Sequence, residues 1–157
     1  MHRWIIALTV FVSSAAILVL EIVAGRIMAP YVGVSLQTFT GIIGTILAAI
    51  ALGAWVGGRV ADRRDPALLL GPVVITGSVL AVASPALVYV LGPSISGEGP
   101  AAIVALAAVG FFLPAAVLST VTPIAAKLSL DSLDSTGSVV GQLSALSTAG
   151  ALFGTFI

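Results

Sequence analysis

Long apolar stretches separated by short polar breaks follow one another along the whole chain. Five of them cover residues 4–24, 39–60, 68–91, 101–121 and 139–157. Each is close to the roughly 20 residues that a helix needs, at about 1.5 Å per residue, to cross about 30 Å of hydrocarbon. None alternates between apolar and polar positions, as the strands of a membrane barrel do. The pattern therefore predicts an all-α, polytopic transmembrane bundle of about five helices, forming one domain over 1–157.

Short polar, glycine or proline segments predict where these helices begin and end. The first helix is expected to break at residues 29–33. The second should open at side chains with capping oxygens, namely Gln37, Thr38 and Thr40. Asp65 followed by Pro66 is typical of a cap with proline in the first turn. Residues 92–100 and 131–137 are predicted loops. Candidate caps in the second loop are Asp134, Ser135 and Thr136.

The amino-acid composition indicates that the chain contains no soluble domain. Hydrophobic residues make up 59% of the chain and charged residues 8%, whereas soluble domains carry about 25% charged residues. The net charge is zero and no basic tail exists, which excludes nucleic acid as a partner. Without cysteine, and with only the terminal His2, no catalytic set or metal site is predicted. We expect no cofactor in this chain.

The basic residues predict an orientation. If the helices alternate in direction, one side of the membrane receives Arg3, Arg59, Arg63, Arg64 and Lys127, and the other receives only Arg26. Cytoplasmic loops are rich in such residues, so we expect a cytoplasmic N-terminus in a bacterial plasma (inner) membrane. The fifth helix reaches Ile157 inside an apolar run, without a flanking charge or cap. We therefore expect the natural protein to continue beyond it.

Glu21 and Arg26 are ionisable residues near membrane depth. Such residues are costly there and suggest a functional role. They are five positions apart, about 140° around an ideal helix, so each is expected to pair elsewhere or the helix to break near Gly25. Gln37 is a candidate partner, and the three residues form a candidate substrate site. The alternative is that both charges extend to the outer interface.

Residues 58–64 place a charge cluster at the end of the second helix. Asp62 is disfavoured near a helix C-terminus, whereas Arg63 and Arg64 are favoured there. We expect Asp62 to pair with an arginine or with the start of a neighbouring helix, so that Gly58 and this cluster form a latch between helices. The alternative is a simple cytoplasmic anchor.

Small residues recur at four-residue spacing on two helices. They are Ala49, Gly53 and Gly57 on the second helix, and two series on the fifth, Gly141, Ala145 and Ala149, then Gly150 and Gly154. Small residues let helix backbones approach closely in lipid. We expect both helices to be buried in the bundle. Prolines interrupt helices three and four at Pro72, Pro85, Pro114 and Pro123, as simple kinks or as breaks near a transport site.

Three stretches resemble one known family. Residues 20–35 (LEIVAGRIMAPYVGVS) resemble the opening of the bacterial spermidine-synthase-like membrane proteins, and 52–63 (LGAWVGGRVADR) and 146–156 (LSTAGALFGTF) resemble their second and fifth helices. The resemblance implies a transporter-like helical domain fused to an aminopropyltransferase domain that is absent here, and polyamine as a ligand. Residues 58–63 also resemble the loop after helix two of major facilitator transporters, although Arg64-Asp65-Pro66 replaces the usual glycine and basic pair.

Three functions remain open from the sequence. The first is a membrane module that anchors or supplies an aminopropyltransferase, the second is half of a transporter for a small cation such as a polyamine, and the third is an assembly subunit without a substrate. The expected partners are the lipid bilayer and either a further membrane and soluble domain or a second copy. The fold expected in each case is part of a major-facilitator-like half.

Overall fold

Five long helical segments joined by short connections make up the chain. The computed structural model describes residues 3–97, 99–130 and 136–156, and within those ranges it contains helices and no strand. In chain order the elements are α1 (Arg3–Val32), α2 (Leu36–Arg63), α3 (Pro66–Ile95), α4 (Pro100–Ala107), a π-helical turn (Ala108–Phe112), α5 (Leu113–Ser119), α6 (Val121–Ser129) and α7 (Thr136–Thr155). The all-α class is confirmed. His2 and the predicted cap and loop positions Asp131, Asp134 and Ser135 lie outside the described residues.

Four segments are long and apolar enough to cross a membrane. They are α1, α2, α3 and the segment Pro100–Ser129, which runs from α4 to α6. At about 1.5 Å per residue, their 28 to 30 residues extend about 45 Å, the thickness of a bilayer with its headgroups. Their outer faces carry exposed apolar side chains such as Ile75, Val79 and Val82 of α3. The chain is therefore a helical, multi-pass membrane protein in contact with lipid.

The helices extend beyond the predicted ends. α1 is continuous through Gly25 and Pro30, where breaks were expected, and stops only at Gly33. Gly33 has a φ of +75°, a conformation that glycine adopts without steric cost. Its amide donates to the carbonyl of Ala29 at 3.0 Å. Pro30 lies in the last turn of α1, and in a membrane helix neighbouring groups can satisfy the carbonyl that proline leaves without a donor.

Ser35, and not Gln37, Thr38 or Thr40, caps α2. The Ser35 hydroxyl accepts a hydrogen bond from the amide of Thr38 at 3.1 Å. The Thr38 hydroxyl in turn donates to the carbonyl of Gly33 at 3.2 Å. At α3 the carboxylate of Asp65 accepts from the amide of Ala67 at 2.9 Å, with proline in the first turn. This is the arrangement expected from Asp65-Pro66.

The prolines act differently in the two segments that contain them. α3 continues through Pro72, Pro85 and Pro93, so the loop expected over residues 92–100 is shorter. The fourth segment has a π-helical turn that ends two residues before Pro114. Pro114 has no amide hydrogen for the carbonyl one turn earlier, and a π-turn accommodates such a missing bond. The fourth segment is therefore the irregular one.

Two apolar cores occupy the two ends of the bundle. One contains Ile6, Ala61, Leu70, Ile124 and Val139, so it joins the beginnings of α1, α3 and α7 to the ends of α2 and α6. The other surrounds the fully buried Phe111 at the opposite end. Neighbouring segments therefore alternate in direction. The five basic residues predicted to share a side lie at the first end, and Arg26 lies toward the other.

Candidate functional site

Glycines bring α2 against the fourth segment. A Cβ atom on Gly53 would overlap the Ala116 carbonyl oxygen and the Ser119 hydroxyl, and one on Gly57 would lie 2.8 Å from Thr120 Cα. The Ser119 hydroxyl also donates to the carbonyl of Ile50 at 3.2 Å. Close backbone approach of this kind is typical of helix pairs in lipid. These two segments form one tightly packed pair.

α7 packs mainly along α1 to form a second pair. A Cβ on Gly150 would overlap the carbonyl oxygen of Phe11, and one on Gly154 would lie 2.5 Å from the carbonyl oxygen of Ala15. The rings of Phe11 and Phe153 lie 5.6 Å apart. The expected packing face over Gly141, Ala145 and Ala149 is different, because all three residues are exposed.

Glu21 lies in a groove between these two pairs. If α1 is centred in the bilayer, Glu21 lies about 5 Å and Arg26 about 13 Å from the midplane, on the same side of it. Glu21 is partly buried and Arg26 is exposed. With that placement, the Glu21 carboxylate lies within the hydrocarbon layer.

Two cavities meet at Glu21. The first, with a volume of about 570 Å³, also contains Arg26 and is otherwise mainly apolar, with Phe39 and Ile42 of α2 on its wall. The second, about 450 Å³, extends toward the basic end of the bundle and contains hydroxyl groups from three segments, namely Ser14, Ser119, Thr122, Ser147 and Thr148. The groove therefore has an apolar part and a hydroxyl-rich part, with Glu21 between them.

Neither Glu21 nor Arg26 has an ion-pair partner within residues 3–97, 99–130 and 136–156. Gln37, predicted as a partner, is exposed in a different cavity, formed with Thr40 and Pro100. The structure therefore brings Glu21 and Arg26 together in one groove and leaves Gln37 apart from it. An unpaired carboxylate in a medium of low dielectric constant is suited to bind a cation.

Ser147 is the groove residue that sequence reasoning missed most completely. Among the described residues, its hydroxyl is the buried side-chain oxygen without a hydrogen-bond partner. Other helical hydroxyls bond to their own backbone, as Thr148 does to Ser144 at 2.9 Å. The sequence signal available was only the Ser and Thr content of α7, which also occurs in helices without a site.

The charge cluster at the end of α2 has a different geometry from the expected one. Asp62 pairs with Lys127 of α6 at 2.8 Å, not with Arg63 or Arg64. Both side chains are largely exposed, at 68% for Asp62 and 49% for Lys127. Arg59 stacks over the Trp55 ring at 3.6 Å, and Gly58 has open space around it. The cluster joins the ends of α2 and α6.

We expect the Asp62–Lys127 pair to contribute little to stability. Because water screens exposed ion pairs, Asp62→Lys should lower the Tm in detergent only slightly. The double variant Asp62→Lys with Lys127→Asp should recover that loss, since it restores opposite charges. A fall in Tm that the double variant does not reverse would show that this contact is not what the single change removes.

No protein-family model, curated protein or solved structure matches the chain significantly. Its function has to be inferred from the groove itself.

Proposed function

We propose that the chain is the membrane module of a spermidine-synthase-like protein and that it binds a small organic cation at Glu21. In this proposal it anchors or supplies an aminopropyltransferase domain outside these 157 residues, and it passes the cation through the bilayer or delivers it at the surface. The observation that carries the cation site is the partly buried Glu21 carboxylate, which lacks an ion-pair partner among the described residues. Ionisable groups at this depth mark substrate pathways.

The proposal includes α7 as a fifth span, within a major-facilitator-like half. α7 has 20 residues, or about 30 Å of helix, which matches the hydrocarbon thickness. Its Ser, Thr, Gly and Gln residues lower its hydropathy, but its packing along α1 and its contribution to the groove support a position at membrane depth. The basic end of the bundle, with the N-terminus, is assigned to the cytoplasm of a bacterial inner membrane.

Glu21→Gln tests the cation site. The amide keeps the shape of the side chain and removes its charge. Binding of labelled spermidine and of labelled leucinamide would be measured on the protein in lipid nanodiscs. The affinity for each should fall at least about tenfold, because a hydrogen bond to a charged group contributes roughly 1.5–3 kcal/mol. The matched control is Asp62→Asn, which makes the same chemical change on a carboxylate outside the groove. It should leave the affinity for both amines unchanged.

Two outcomes would contradict the proposal. One is equal affinity for both amines in the native protein and Glu21→Gln. The other is a failure of the native protein to bind either amine.

A second function, an assembly subunit without a substrate, is favoured by the exposed face of α7. Gly141, Ala145 and Ala149 recur at four-residue spacing on that face, which would let another helix approach closely. A cysteine substituted for Gly141 would report contact between the α7 faces of two copies by forming a disulfide, since the chain has no other cysteine. Disulfide-linked dimers in membranes, combined with absence of amine binding, would favour this function over the first.

A further inference from the structure

Glu21 and Arg26 share a cavity without neutralising each other. Both lie on the cavity of about 570 Å³ between α1 and α2, yet no ion pair joins them in the part of the chain that the structure describes. Their backbone positions differ by a rise of about 7.5 Å along α1. Each group can therefore make a charge-assisted hydrogen bond, of about 2.8 Å, to a ligand in the cavity.

The rest of this cavity is apolar except for Thr155 of α7, whose hydroxyl donates to the carbonyl of Ala151. Ile22 of α1 and Phe39, Ile42 and Ile43 of α2 are on its wall. Gly25 lies between the two charged residues in sequence, and a Cβ there would approach the Phe39 ring to 3.0 Å. The cavity therefore presents one negative group, one positive group and an apolar surface beside them.

We infer that the ligand is a zwitterion of the amino-acid type with an apolar side chain. Its ammonium group would bind Glu21, its carboxylate would bind Arg26, and its side chain would pack against Phe39 and Ile42. This inference rests on the proposed function only in that Glu21 binds an ammonium group, and it replaces the cation with a zwitterion, which carries that group and has no net charge.

Charge balance favours a zwitterion over a polycation. A guanidinium presents a fork of donors that fits a carboxylate in bidentate geometry. Because the two protein charges sum to zero, a ligand with no net charge leaves no charge uncompensated in the low-dielectric groove. A polyamine would place a second positive charge near Arg26, and like charges repel strongly there.

The experiment compares leucine with leucinamide, which has the same side chain and ammonium group but no carboxylate. Equilibrium binding of each labelled compound would be measured on the full chain in nanodiscs, for the native protein and for Arg26→Gln. We expect Arg26→Gln to weaken leucine at least about tenfold and to change leucinamide by less than about twofold, because only leucine has a carboxylate to lose. The control Arg63→Gln makes the same change at the opposite end and should alter neither.

Two results would overturn the inference. One is an equal effect of Arg26→Gln on both compounds, and the other is tighter binding of leucinamide or spermidine than of leucine to the native protein. In both cases the role of Glu21 stands if Glu21→Gln still weakens the binding of the amines at least about tenfold. If Arg26→Gln does not fold, Arg26→Lys replaces it. Because Lys keeps the charge but loses the bidentate fork, it should reduce the preference for leucine over leucinamide, and an unchanged preference would overturn the inference as well.

Discussion

Gly53→Ala should destabilise the protein by about 3 kcal/mol, the upper part of the range for overpacking a close-packed interior. The added methyl group would overlap the carbonyl oxygen of Ala116 and the hydroxyl of Ser119, and it would lie 2.8 Å from the Ala116 carbonyl carbon. Backbone atoms cannot rotate away, so α2 and α5 would have to separate. Unfolding by sodium dodecyl sulfate from mixed micelles measures the difference in free energy.

Gly44→Ala is the matched control for Gly53→Ala, since it makes the same change on the same helix. No atom of a neighbour lies within 4 Å of a Cβ built on Gly44. Alanine is the better helix former by roughly 1 kcal/mol, so this variant should be unchanged or slightly more stable. Equal destabilisation by the two variants would mean that helix–helix contact at Gly53 is not the cause.

Gly150→Ala with Gly154→Ala should separate α7 from α1. Each added methyl group would meet backbone atoms of α1, at Phe11 and at Ala15 respectively. Because two overlaps act on one helix pair, we expect a loss of about 4 kcal/mol, roughly twice a typical overpacking cost. Cysteines substituted for Phe11 and Phe153, whose rings lie 5.6 Å apart, and joined by a short bifunctional thiol reagent would report the separation of the two helices, since a direct disulfide needs closer Cα atoms. Cross-linking in membranes should be efficient in the parent and nearly lost in the glycine variant.

The control for this pair is Gly141→Ala, on the exposed face of α7, where no neighbouring atom lies within 4 Å of the added carbon. It should leave cross-linking unchanged. Persistent cross-linking in the Gly150 and Gly154 variant would contradict the described packing of α7 on α1.

The helical class could be predicted from the sequence because lipid imposes one simple requirement. Every backbone donor and acceptor must be satisfied within the segment, so a long apolar run has to be a helix. The ends of the helices were harder to predict. Pro30 and Pro93 indicate helix breaks in the sequence, although each removes only one hydrogen bond from the helix that contains it. The cap at Ser35 was missed because Gln37, Thr38 and Thr40 offer the same chemistry a few positions later.

The groove could be predicted only in part. Glu21 was identifiable because a carboxylate inside an apolar run is conspicuous. Its surroundings were not, since the neighbours come from α2, α5, α6 and α7, and their positions depend on how the segments pack. Lys127 as the partner of Asp62 is a similar case: three arginines are closer in sequence, but only the arrangement of α2 beside α6 brings the lysine within 2.8 Å.

The three residues that join α1 to α2, 33–35, have a mechanical consequence. The glycine contacts make two stiff bodies, α1 with α7 and α2 with the fourth segment, and the groove is the seam between them. Gly33, whose carbonyl accepts a hydrogen bond from the Thr38 hydroxyl, joins the end of α1 to the start of α2 at one end of that seam. Any relative movement of α1 and α2 should therefore be smallest at this short connection, and the apolar core that contains Ile6 and Ile124 limits widening at the basic end as well.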